Sequence, residues 1–135
     1  MLINNFIFLI IILSFALVLG VLIRHKSGKI IPTDTVKIMK FEYGVALGSR
    51  GTVLLFTTSF CSSCRATKAL VKDVVKDEVD ISYYEVDAES NLELVRKVDV
   101  RSTPTTLFLD SSGFEIARAT GTPKRDQLIK VVASL

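Results

Sequence analysis

Residues 52–76 change periodicity halfway along, and that change constrains the fold more than any other feature. Thr52 to Thr58 is β-branched and apolar, the composition of a strand buried on both faces. From Cys61 to about Lys76 the apolar positions Ala66, Leu70, Val71, Val74 and Val75 recur at three- and four-residue spacing, which predicts a helix with one buried face. Arg65, Lys68, Lys72 and Lys76 fall on the rest of it. Ile81 to Val86 then reads as a second buried strand, and Glu89 to Val98 as a short helix with Leu92, Val95 and Val98 on one side. Thr105 to Leu109 and Phe114 to Thr120 form a hairpin turned by Asp110, Ser111, Ser112 and Gly113. A last helix opens at Thr122 with Pro123 in its first position, where a missing N–H is harmless, and Leu128, Val131, Val132 and Leu135 line it. The order β-α-β-α-β-β-α predicts an α/β domain, a central mixed sheet with helices on both faces.

Upstream the composition is different. The first 23 residues carry no charge, and Phe6 to Ile23 is an apolar run interrupted only by Ser14 and Gly20. As a helix at about 1.5 Å per residue it reaches roughly 27 Å, close to a bilayer's hydrocarbon thickness. No basic residue precedes it and no small-x-small site follows, so a retained single-span anchor is expected rather than a cleaved signal. The expected division is an anchor at 1–26 (span about 3–23), a linker at 27–35 with Gly28 and Pro32, and one domain at 36–135, opening with a short strand at Val36 to Lys40. Phe41 to Arg50 is ambiguous because Gly44 and Gly48 weaken a helix there. Arg24, Lys26 and Lys29 follow the span, so the positive-inside bias puts the domain in the cytoplasm, with an extracytoplasmic placement as the alternative. Beyond the run, Lys and Arg nearly balance Asp and Glu, which gives no reason to expect a nucleic-acid partner.

The chain has two cysteines, and they are Cys61 and Cys64. A stapled secreted framework needs several bridges spread along the sequence, so this is the pattern of a site. Cys61-Ser62-Ser63-Cys64 sits where a strand ends and a helix begins. The helix amino terminus offers unpaired N–H groups and a positive dipole end, both favouring thiolate over thiol. The thiolate is the attacking species, which makes Cys61 the nucleophile. Cys64, one turn further in, is shielded and placed to resolve a mixed disulfide. The same spacing also makes half of a zinc site.

Forty residues downstream, Thr103-Pro104 precedes a strand. With this second motif the sequence resembles the thioredoxin superfamily. Phe56 to Arg65 (FTTSFCSSCR) looks like its active-site block, Arg101 to Thr105 (RSTPT) like its cis-proline loop, and Gly113 and Gly121 fall at its last hairpin and final turn. The resemblance covers about Thr52 to Leu135. It implies a thioredoxin-like fold in which Pro104 is cis and packs beside the Cys61 sulfur, and Thr103 binds an extended substrate through its backbone. It also implies a thiol–disulfide oxidoreductase that needs no bound cofactor. Protein thiols or disulfides and an upstream redox partner would be its partners, and one chain would act alone as a monomer. The sequence departs from the family in places. Phe60 stands where Trp is usual, and is a candidate substrate contact. Leu55 replaces a buried Asp, Tyr83 takes the place of its Lys partner, and Ser62-Ser63 lacks the spacer proline.

Other readings stay open. The cysteine pair fits a metallochaperone in which two chains pool ligands, since no other Cys and no well-placed His exists. A redox-silent interaction domain is a further alternative. His25 belongs to the basic cluster after the run. Asp87 and Glu89 read as a strand end followed by a cap, Arg65, Lys68 and Lys72 as a solvated helix face, and Phe56 and Phe108 as core.

Overall fold

The computed structural model describes residues 2–26, 28–32 and 44–135. Helix α1 spans Leu2–Lys26 and strand β1 Ile30–Pro32. Then follow β2 (Gly51–Thr57), α2 (Ser62–Val75), β3 (Ile81–Asp87), α3 (Leu92–Lys97), β4 (Thr105–Asp110), β5 (Glu115–Thr120) and α4 (Arg125–Ser134). The strands form one sheet in the order β1-β5-β4-β2-β3. Among the described strands only β2 and β3 pair in parallel, and the other pairs are antiparallel. Parallel neighbours need a crossover, and α2 supplies it. From β2 onward the order matches the predicted β-α-β-α-β-β-α.

Alternation along β2 divides the core. Leu54 and Phe56 enter one cluster with Val86, Leu94, Val98 and Leu107 beneath α3. Val53 enters the other with Val71, Phe108, Leu128 and Val132, beneath α2 and α4. All seven β2 residues are buried, and burying a side chain as large as Phe56 or Leu54 contributes about 1.5–3 kcal/mol. The second cluster is bounded by Tyr83, half-buried, with the Lys72 ammonium 5.9 Å from its ring centre.

Several expectations are corrected. Among the described residues no helix is long and apolar enough to cross a membrane. The anchor at 1–26 is withdrawn on that finding, and with it the cytoplasmic placement that depended on its orientation. The linker at 27–35 contains β1, whose Ile30 pairs with Ala119 and Pro32 with Ala117. Gly28 leads into that strand with φ +82°, and its N–H donates to the Thr120 carbonyl at 2.6 Å. A Cβ there would stand 2.2 Å from the Thr122 carbonyl oxygen, so only glycine fits. The strand expected at Val36 to Lys40 lies outside the described residues.

On α2, Thr67 is buried and Ala66 exposed. The Thr67 hydroxyl lies 2.7 Å from that of Thr122, which satisfies both and lets a polar residue take the core position. Helix α3 is shorter than expected because Asp87 holds Glu89 and Ser90 in a turn. Its buried residue is Leu94, while Leu92 is exposed. Helix α4 starts at Arg125 rather than at Thr122, since Lys124 is extended (ψ 145°) and caps it. At the edge of the α3 face, Glu115 is fully buried and paired with Arg118 at 2.5 and 2.7 Å. Hydrogen bonding to Glu115 raises the Arg118 pKa further, and the Val98 carbonyl takes another of its N–H groups at 2.9 Å.

Candidate functional site

Strand β2 delivers the chain to the sheet edge at Thr57, a short turn carries Ser59 and Phe60, and α2 starts at Ser62. Cys61 is the N-cap of α2 in an extended conformation (φ −102°, ψ 103°). Its Sγ accepts the Cys64 backbone N–H at 3.1 Å, so the sulfur takes up one of the donors that a helix start leaves unpaired. The Ser63 hydroxyl lies 3.4 Å from the same sulfur. No acidic residue occupies the first turn, leaving the positive end of the helix facing Cys61.

Cys61 and Cys64 are joined as a disulfide with Cα atoms 5.2 Å apart. The two sulfurs differ in access. Cys61 is partly exposed, whereas Cys64 is 3 % exposed. Phe60, next to Cys61, is 99 % exposed. A shallow depression beside it is formed by Ser59, Phe60, Cys61, Ser62 and Arg65.

Pro104 is buried, and its peptide bond with Thr103 is cis, as the resemblance implies. The Thr103 hydroxyl lies 3.2 Å from that of Thr58, tying the loop to the end of β2 just before the cysteines. The Pro104 carbonyl accepts the Gly121 N–H at 2.7 Å. Thr103 and Ser102 also line an apolar cleft with Ala88, Leu92 and Val100, about 290 Å³ in volume.

A cavity of about 330 Å³ opens beside the disulfide and contains one group that the sequence did not single out, Glu85. Cys61 and Cys64 line it together with Arg65, Lys68, Glu85 and Asp87. Lys68 and Glu85 form an ion pair at 2.5 Å. Lys68 lies one helical turn beyond Cys64, and Glu85 pairs in register with Leu55 across β2 and β3. That i,i+4 spacing was the one signal in the sequence, because Glu85 itself reads as an ordinary polar position on a half-covered strand. Asp87 accepts the Glu89 N–H at 3.0 Å and the Ser90 hydroxyl at 2.7 Å. The Ser90 hydrogen bond, then that of Glu89, holds its carboxyl below the usual carboxylate range. It ends β3 and holds the turn after it, whereas the helix cap expected at Asp87 and Glu89 falls on Asn91.

Leu55 is fully buried. The Tyr83 hydroxyl and the Thr106 hydroxyl, both on the α2 face, are buried without a hydrogen-bond partner among the described residues. Burial, with a smaller contribution from Glu85, pushes the Tyr83 phenol up to about 12. The side chain of His25 lies outside the described residues.

A family profile described as a thioredoxin-like domain matches residues 44–135. Thioredoxin-2 of Saccharomyces cerevisiae is 23 % identical over 89 residues, covering 66 % of this chain and 85 % of that protein. Thioredoxin H5 of rice (Oryza sativa subsp. japonica) is 34 % identical over 68 residues, half of each chain. Among solved structures, a malaria-parasite thioredoxin-2 superposes with a TM-score of 0.61 at 26 % identity, covering 69 % of this chain and 90 % of that one. The profile spans most of the chain, and the cysteine pair lies within it at the strand–helix junction. The chain therefore belongs to the thioredoxin-like family and is a thiol–disulfide oxidoreductase.

Proposed function

We propose that this oxidoreductase acts on protein substrates, with Cys61 as the attacking sulfur and Cys64 as the resolving one. The observation that carries this reading is the asymmetry of the pair. Cys61 is the accessible N-cap, with its sulfur hydrogen-bonded to a helix-start N–H, and Cys64 is nearly enclosed. Exchange rate follows thiolate fraction and access, and both favour Cys61.

In the reducing direction the Cys61 thiolate attacks a substrate disulfide, forming a Cys61–substrate bond and releasing one substrate thiolate. Cys64 then attacks the Cys61 sulfur, closing the intramolecular disulfide and releasing the second substrate thiolate. An upstream redox partner resets the pair by the reverse exchange. The electrons travel through the sulfurs, so no bound cofactor is needed. Phe60 and the Thr103-Pro104 loop flank Cys61 as substrate contacts, with the Thr103 backbone taking an extended peptide like an added strand. The working unit is the domain at 36–135 together with β1, acting as a single copy because one chain carries both sulfurs.

Trapping in cells tests this. A Cys64→Ser protein is expected to accumulate covalent protein adducts that a reducing agent dissolves, and a Cys61→Ser protein is expected to form none. Adducts on the Cys61→Ser protein alone would reverse the assignment. Adducts on neither would remove proteins as the substrate class.

A further inference from the structure

Resolution requires the enclosed Cys64 thiol to lose a proton before its sulfur attacks. Strand β2 offers no base for this, since Val53 and Leu55 face α2 and both are fully buried and apolar. Two carboxylates line the cavity that Cys64 shares with solvent, Glu85 and Asp87. Asp87 has both oxygens engaged by the turn that follows β3. Glu85 is bonded through Oε2 alone among the described residues, to Lys68, and its side chain is 32 % exposed. It sits on the strand next to Leu55, at the register position directly across from it.

We infer that Glu85, positioned by Lys68, accepts the Cys64 proton during resolution, the proton crossing the solvent of the shared cavity. The inference rests on Cys61 attacking and Cys64 resolving. The step balances simply. The Cys64 S–H bond breaks and its proton passes to the Glu85 carboxylate. The Cys64–Cys61 bond forms while the Cys61–substrate bond breaks, and the departing thiolate takes a proton from the protonated Glu85 or from solvent. The charged groups facing Glu85 are Lys68 and Arg65 from α2, and Asp87 from β3. Tyr83 on β3, under Lys72, is the remaining titratable neighbour. Arg65 and Lys68 favour the Cys64 thiolate as it forms, and β2 adds only Thr57 to the cavity wall.

The test separates the two chemical steps. Reduced protein is mixed with excess glutathione disulfide and acid-quenched at intervals, and the glutathione adduct is followed by intact mass. Glu85→Gln is expected to form the adduct at the wild-type rate but to clear it about ten- to a hundredfold more slowly at neutral pH. Its clearance should rise about tenfold per pH unit while the wild-type profile stays flatter, and Glu85→Asp should recover part of the rate. Clearance by Glu85→Gln at the wild-type rate overturns the inference. So does slowing without a change in pH slope, or the same loss appearing in Asp87→Asn instead. Failure of a Cys64→Ser protein, which cannot resolve, to form any adduct would remove the two-sulfur reading itself, and this inference with it.

Discussion

Leu54 and Phe56 point from β2 into one core and Val53 and Leu55 into the other, and the two cores differ in chemistry. Beneath α3, Phe56, Leu107 and Leu109 are fully buried and the buried polar groups Thr52, Thr105 and Glu115 all have hydrogen-bond partners. Beneath α2 and α4 the apolar contacts are interrupted by the Thr67–Thr122 hydroxyl pair and by the unpartnered hydroxyls of Tyr83 and Thr106. The Lys68–Glu85 pair stands at its open end. An unsatisfied buried hydroxyl costs about 1–3 kcal/mol, so this second face holds the fold less well per residue. It is also the face that carries both sulfurs. One strand thus secures the domain with one set of side chains and supports a polar, water-reachable site with the other.

Phe56→Ala tests the first half of that contrast and has the largest expected effect. The cavity left beneath α3 should lower stability by about 3–5 kcal/mol, read from the denaturant midpoint. The folded fraction should still react with glutathione disulfide at the wild-type rate, since the α3 face does not touch the sulfurs. A loss well under 1 kcal/mol would mean that the α3 face is not the stabilising one.

Tyr83→Phe probes the other face and should change stability at neutral pH by no more than about 1 kcal/mol, because the hydroxyl removed has no partner to lose. Its effect appears in alkali. The folded protein holds the phenol at about 12 against an ordinary value of 10.0, mainly because burial disfavours the phenolate. The unfolded chain therefore releases this proton first. The associated stability is complete below pH 10.0 and is lost as pH rises toward 12. Denaturation midpoints across that window should fall less steeply for Tyr83→Phe than for the wild type, and equal slopes would contradict the burial argument.

The same contrast explains what was legible in the sequence. The β2–α2 junction was readable because a strand composition gives way to a helical period at the cysteines, and the β4–β5 hairpin because Asp110 to Gly113 has turn chemistry. Both signals are local. What was missed depends on contacts between distant segments. Strand β1 is three residues long and exists by pairing with β5. Thr67 takes its buried position with its hydroxyl donating to the Ser63 carbonyl and meeting that of Thr122, 55 residues away. On α3, Val95 and Val98 pack against the core as expected, whereas Leu94 rather than Leu92 joins them. Hydropathy alone gave α1 its helical character correctly, yet among the described residues no helix is long and apolar enough to cross a membrane. At the site, Cys61, Cys64, Phe60, Thr103 and Pro104 were all named from motifs. Glu85 and Lys68 were not, since their meeting depends on the parallel register of β2 with β3 and on α2 lying over it.

The division of labour between the sulfurs is the claim on which the rest depends, and competitive alkylation measures it directly. Reduced, folded protein is treated with a limiting amount of iodoacetamide at neutral pH, and the modified residue is identified by peptide mass. Cys61 should take nearly all of the label, with Cys64 modified only after denaturant is added. Labelling of Cys64 first, or of both at equal rates in the folded protein, would contradict the account.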